Sequence, residues 1–131
     1  MSIPNITLET LARASEQDVF DQVAIHLINQ GKQSQRRIKD TDVLPICVYR
    51  TGSLACAAGC LIGEGEYHTD MEGSGWDLLK KEGKVPKAHA NLIADLQGIH
   101  DDIRPVEWWD ALVEMADEMR LSFDNIKQET R

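Results

Sequence analysis

The segment CVYRTGSLACAAGC, residues 47–60, gathers all three cysteines of the chain, Cys47, Cys56 and Cys60, beside Tyr49 and Arg50. Three chemistries fit such a set: a metal site, an activated thiol, or close packing of small residues. Zinc sites pair cysteines at C-x2-4-C spacing and add a second pair of Cys or His. Cys56-x3-Cys60 has the spacing of a first pair, and on a helix it would put both sulfurs on one face. Cys47 would be the third ligand and His68 the fourth, although this spacing matches no standard zinc module. A nucleophilic thiol needs a cation or a helix N-terminus to lower its pKa. Arg50 could serve, but no paired base is legible. The favoured reading is packing: Cys56 and Cys60 with Ala55, Ala57 and Gly59 form a small-residue face, and free cysteine is among the most buried residue types. No resident cofactor is expected, with zinc the only one the residues suggest.

The other candidates are weaker as chemistry. IHDD, residues 99–102, invites comparison with His-Asp metal hydrolases. His89 and His100 share a helical face, but eleven residues at about 1.5 Å each separate them by roughly 16 Å, too far for one metal. His100 is therefore expected to be a hydrogen-bonded, partly buried histidine near a helix end, and His26 to border the core. A ligand site is conceivable in which Tyr49 stacks on a base while Arg36, Arg37 and Arg50 hold phosphates. No phosphate loop, dinucleotide fingerprint or H-E-x-x-H is present, so an enzyme is not the first expectation. Trp108 and Trp109 are adjacent, about 100° apart around a helix, and cannot both face one core direction. One exposed tryptophan ringed by Glu107, Asp110 and Glu114 would make a protein-binding hot spot; a wide buried stripe between two neighbours is the plainer alternative.

The elements that must position these residues are mostly helical. Ser15 and Asp18 form a capping pattern, Val19, Phe20, Val23 and Leu27 repeat at helical spacing, and Gly31 is a stop, which predicts a helix over 16–30. A shorter helix is expected near Leu8–Ala12. VLPICVY reads as a short strand ending at Arg50, followed by a Thr51-Gly52 turn. SLACAAGCLI fits either a helix capped by Ser53 or the return strand of a hairpin; its alanines favour the helix. Residues 63–75 are glycine-rich and loop-like. Ser74 can cap a short helix with Trp76, Leu78 and Leu79 that stops at Gly83. Ile93, Leu96 and Ile99 trace a helix to about Asp102, and Pro105 opens another carrying Trp109, Leu112, Val113 and Ala116. The chain from 124 to 131 is expected to fray. The expected architecture is mainly α, a compact single-domain bundle of about five helices over residues 1–131, with one short strand or hairpin around residues 44–57.

With 131 residues, 42% of them hydrophobic and 27% charged, the composition is that of a soluble domain with one core. No apolar run approaches the roughly 18 residues of a membrane helix, and Met1–Ser15 lacks the pattern of a secretory signal. The expected compartment is the cytoplasm, where thiols stay reduced. The formal charge of -8 argues against direct nucleic-acid binding. Residues 101–131 carry nine acidic and four basic side chains. The basic runs GKQSQRRIK, 31–39, and KKEGKVPK, 80–87, read as solvated surface, with a local anion site as the sharper alternative.

The order of FDQVAIHLINQGKQS, CVYRTGSLACAAGCLIGEGEY, LQGIHD and EWWDAL resembles small uncharacterised proteins encoded by bacteriophages and prophages, over residues 19–120. The shared segment is C-x-Y-R, a glycine turn and C-A-x-G-C-L-I; Gly63 here replaces a more usual proline. The resemblance implies a phage-type protein acting in the host cytoplasm. Such small acidic proteins often bind and inhibit host proteins, including those of immune defence, sometimes by presenting DNA-like charge. The leading expectation is accordingly a non-enzymatic acidic interaction protein whose partner, a host or phage protein, is met by Glu107, Trp108, Trp109, Asp110 and Glu114. A nucleotide-sequestering protein using Arg36, Arg37, Tyr49 and Arg50 is the alternative, and a metal-binding protein using Cys47, Cys56, Cys60 and His68 the second. A homodimer is compatible with an exposed aromatic.

Overall fold

In the computed structural model, which describes residues 3–36 and 46–130, the chain is organised around one helix, α1, Glu16–Gln30. Its start and stop are local. The Ser15 hydroxyl accepts from the Asp18 backbone N–H at 3.0 Å, and Gly31, at φ +68°, closes the end with its N–H on the Leu27 carbonyl. A residue with a Cβ resists that left-handed turn, which is why glycine stands there. Within α1 Val19, Phe20, Val23, Ala24, Ile25 and Leu27 are buried, and so are Asp21 and Gln22. A helix covered on most of its circumference sits at the centre of its domain, and α1 packs against three other helices: α3, Ala90–Asp102; α4, Trp108–Met119; and α5, Asp124–Glu129.

Each of these presents one stripe to the centre. Leu92, Ile93, Leu96, Ile99 and His100 of α3 are buried, as are Trp108, Leu112 and Ala116 of α4. Burying each large apolar side chain contributes about 1.5–3 kcal/mol. Pro105 opens a single 3-10 turn, Pro105–Glu107, that leads directly into α4. A smaller helix, α2, Trp76–Lys81, adds Trp76 and Leu79 to the core, is capped by Glu82 and is followed by Gly83 at φ +76°. Its N-cap is Gly75, without a side-chain cap bond, so Ser74 does not play the capping role its type suggested. The predicted turn of helix before α1 is a 3-10 turn at Leu11–Arg13.

The C-terminal segment corrects the expectation of a frayed tail. Residues 124–129 are α5, with Ile126 fully buried and Asn125 donating its Nδ2 to Asp21 Oδ2 at 3.3 Å. Gln17 and Ser122 exchange two further bonds, both 2.9 Å, that bring this end back to α1. One apolar residue in a polar hexapeptide gives almost no periodic signal, yet it suffices when a core site waits for it.

Two small antiparallel pairs complete the fold. Strands β1, Gln35–Arg36, and β2, Ile46–Cys47, form one, with Gln35 opposite Cys47. Strands β3, Arg50–Thr51, and β4, Leu54–Ala55, form a hairpin with Arg50 opposite Ala55. Thus the described chain is mainly α, five helices with two short ribbons. The helix favoured for SLACAAGCLI gives way to a return strand followed by a 3-10 turn, Gly59–Leu61. No helix among the described residues is long and apolar enough to cross a membrane.

Candidate functional site

The middle of the chain, from β2 to α2, holds the residues that first suggested chemistry. Gly52, φ +59°, makes the turn of the β3–β4 hairpin, and the chain then doubles back so that Gly59 lies on the backbone of Tyr49. A Cβ on Gly59 would stand 2.2 Å from the Tyr49 carbonyl oxygen. Close backbone approach, rather than a bend, is what this glycine provides. Cys56 and Cys60 pack here as small apolar residues: the Gly59 N–H donates to Cys56 Sγ at 3.3 Å, and the Cys60 thiol donates to the Ala57 carbonyl at 3.2 Å. Burial pushes the Cys56 thiol up to about 12 and raises that of Cys60 as well. Both therefore stay protonated at neutral pH, poor as nucleophiles. His68 is exposed in the loop beyond, beside Leu8, Asp70 and Lys84. The predicted ligand set Cys47, Cys56, Cys60 and His68 does not converge, because the one cluster of three or more metal-ligating side chains among the described residues has other members, Cys47, His100 and Asp101.

Two carboxylates that carried no motif do the structural work of this region. Glu72 accepts from the backbone N–H groups of Tyr49, 2.8 Å, and Arg50, 3.1 Å, and from the Tyr67 hydroxyl, 2.7 Å. Glu66 accepts from Gly63, Leu8 and Glu9 backbone N–H groups at 2.7–2.9 Å. Burial alone would raise the Glu66 pKa, but these three bonds outweigh it and hold the carboxyl below its usual range. The acids of GEGEY and MEGSG were the available signal, since a carboxylate in a glycine-rich loop is well placed to gather backbone N–H groups.

The predicted base-stacking group is largely covered, with only a small part of it left at a cavity wall. Tyr49 is 8% exposed, its hydroxyl donates to the Ser74 carbonyl at 2.6 Å, and its ring lies edge-on to Trp76. The guanidinium of Arg50 donates to the Ile62 carbonyl and stands 5.4 Å above the Tyr67 ring. Arg36, exposed on β1, acts with Arg50 on the same Tyr67 phenol, so the two cations share a neighbourhood that centres on Tyr67 rather than on Tyr49. Arg37 lies outside the described residues. In the second basic run Lys80 and Lys81 pair with Asp77 at 3.1 and 3.2 Å, and Lys84 lies near Asp70 and Glu82, the pattern of solvated surface.

His100 is fully buried in the last turn of α3, its ring stacked on Trp108 at 5.6 Å. The Ser34 backbone N–H donates to its Nε2 at 2.9 Å, which puts the ring proton on Nδ1. Nδ1 then donates to Asp101 Oδ1 at 2.7 Å, and Gln97 donates to the same oxygen at 2.7 Å. Cys47 Sγ lies within 4.8 Å of both partners. Burial would raise the Asp101 carboxyl, but the bonds from His100, Gln97 and Cys47 outweigh it and lower it. Burial pushes the Cys47 thiol up. A metal at this cluster would need the Nδ1 lone pair; the ring proton would then move to Nε2 and confront the Ser34 N–H. The donor set as arranged forms a tautomer-locked hydrogen-bond network.

On α4 the structure corrects the aromatic half of the predicted contact face. Trp108 is 1% exposed and donates its indole N–H to the carbonyls of Ile99, 3.0 Å, and Ile103, 2.8 Å. Trp109 is half-buried, its ring T-shaped on Phe123 at 5.0 Å. Both rings are accommodated because α4 is flanked on two sides, by α3 and by the segment leading into α5. What remains outside is the surface of α4 with Asp110, Val113, Glu114, Asp117 and Glu118 exposed, continued by Val106 and Glu107 of the 3-10 turn before it; Val106 is 80% and Val113 39% exposed. Glu107 pairs with Arg104, Nε to Oε2 3.0 Å, and these residues line an open groove with Asp102 and Asp110.

No family model, no curated protein and no solved structure matches this chain.

Proposed function

We propose that this protein is a non-enzymatic interaction protein that offers the solvent face of α4 to a basic surface on a partner protein. The observation that carries the reading is the composition of that face, with Val106 and Val113 exposed among Glu107, Asp110, Glu114, Asp117 and Glu118. An apolar centre with a charged surround is the general anatomy of a protein contact, and a one-sign surround steers a complementary partner. The protonated thiols of buried Cys56 and half-buried Cys60 and the full burial of His100 favour a binding role over catalysis. The resemblance to phage-encoded proteins adds that the partner is a bacterial host protein and that binding inhibits it.

The test is a triple charge reversal, Glu107→Lys, Asp110→Lys and Glu114→Lys, in capture experiments from bacterial lysate. A partner retained by the wild type at low salt should be lost by the variant, and its retention should weaken as salt screens the contact. Unchanged capture of every partner by a folded variant would remove this face from consideration.

A further inference from the structure

A cavity of about 320 Å³ opens between the β2–β3 junction, the loop entering α2, and one side of α3. Its walls include the rings of Tyr49 and Trp76, which meet at 61° with centroids 6.4 Å apart. Two carboxylates, Glu72 and Asp101, also line it, and neither lysine, arginine nor histidine does. Glu72 and Asp101 each accept from three donors, but Asp101 keeps 36% of its side chain exposed while Gln97, His100 and Cys47 fix its orientation. A fixed anion in a concave, partly apolar site raises the local concentration of cations, and aromatic walls add to that attraction. A second observation comes from Trp76, a cavity-lining side chain 7% exposed whose indole N–H is buried without an acceptor. Trp108, by contrast, has two acceptors for the same group. An orphaned buried donor in a side chain that walls a cavity calls for an explanation.

We propose that this cavity binds a small organic cation, an ammonium or guanidinium on a short apolar stem, with its head on Asp101 and its stem against Tyr49 and Trp76. A phosphate-bearing ligand is disfavoured by the same two carboxylates. The volume, at the low end for small-molecule sites, suits a group the size of one amino-acid side chain. The chemistry is shared by a free amine and by a lysine or arginine side chain presented on a peptide. This inference does not depend on the α4 face.

The experiment is a titration followed by two-dimensional NMR, reading the Trp76 indole N–H and the backbone amides of Val48, Gln97 and Asp101. The probes are butylammonium and butylguanidinium as bare cations, the N-acetyl methylamides of lysine and arginine as peptide mimics, and that of norleucine as the uncharged control. Cationic probes should shift these resonances saturably in the millimolar range or below, and norleucine should not. Tighter binding by the blocked lysine or arginine assigns the site to a side chain with its flanking carbonyl; equal binding by the bare cations assigns it to a free amine. Asp101→Asn should weaken binding at least about tenfold, roughly 1.4 kcal/mol. Because Asp101 also holds His100, a second variant is needed. Gly75→Leu places a side chain at the cavity wall where a Cβ meets nothing within 4 Å and φ is an ordinary -70°. It should keep the fold and abolish the shifts. Equal binding of norleucine, undiminished binding by folded Gly75→Leu, or no saturable shift with any cation would overturn the proposal.

Discussion

The helical frame and the central segment from β2 to α2 are held together by different physics. In the frame, α1, α3, α4 and α5 meet through apolar side chains, and the polar groups they bury are few, such as Asp21, which accepts from Gln17 and Asn125. The central segment contains only two-residue strands and short turns. Its backbone is tied down by side chains reaching from far along the sequence, Gln30 to Ala55 and Gln97 to Ala58, and its own Glu66 reaches out to the backbone of Leu8. The frame is redundant, because one lost contact leaves many others. The clamps are singular, and each is a buried or half-buried hydrogen bond whose loss leaves an unsatisfied backbone group. Both the amine-sized cavity and the least regular backbone lie on the clamped side.

Breaking the frame should have the largest effect. Trp108→Ala removes a fully buried ring, its two hydrogen bonds and the stack on His100. It is expected to cost about 3–5 kcal/mol, seen in denaturant unfolding as loss of the whole cooperative transition to lower midpoint. The next effect separates two glycines. Gly59→Ala drives a Cβ into the Tyr49 carbonyl and should cost about 3 kcal/mol or more. Gly98→Ala, inside α3 with open space around its Cβ, should be stabilising by up to about 1 kcal/mol. Equal thermal midpoints for the two variants would contradict the close approach at residue 59.

Glu72→Gln tests the clamps directly. Replacing the carboxylate weakens three charge-assisted bonds, for an expected loss of about 1.5–3 kcal/mol. Hydrogen exchange should quicken first at Tyr49 and Arg50 while the amides of α1 stay protected; uniform acceleration would mean that the two regions unfold as one.

The smallest effects come from titration and from the surface. Burial raises the Asp21 pKa against the bonds from Gln17 and Asn125, so its ionised form weakens the fold. The stability associated with Asp21 is present below the ordinary aspartate pKa and is lost as pH rises through the raised folded value. Asp21→Asn should therefore stabilise at neutral pH, by up to about 1 kcal/mol, and the gain should vanish in acid. Glu66 has the opposite sign: its lowered pKa contributes stability above the ordinary glutamate range that is lost as pH falls through the folded value. Melting curves of Asp21→Asn and Glu66→Gln across acid pH should diverge from the wild type in opposite directions. The triple reversal at Glu107, Asp110 and Glu114 should change stability least, within about 0.5 kcal/mol for each position, since all three are exposed.

Much of the frame was legible beforehand because its signals are local. Ser15 and Gly31 bracket α1, and Ile93, Leu96 and Ile99 trace α3, by spacing alone. The burial of His100 near a helix end was likewise readable, as was the choice of packing for Cys56 and Cys60. The identity of His100's partners was not: Ser34 is 66 residues away, and nothing in either stretch announces the other. α5 escaped notice because a single Ile126 has no period.

The chain's own sequence determined the mainly helical class, the ends of α1, the acidity of the C-terminal third and the small-residue character of 53–60. These follow from side-chain type and spacing within a few residues, where capping, periodicity and charge act. Only the tertiary structure decided that Trp108 and Trp109 turn inward, that the cysteines do not converge, that Glu66 and Glu72 are clamps, and that Asp101 meets Tyr49 and Trp76 across a cavity. Those outcomes depend on which distant surfaces come to lie against each other, and burial belongs to a pair of surfaces rather than to either one's sequence.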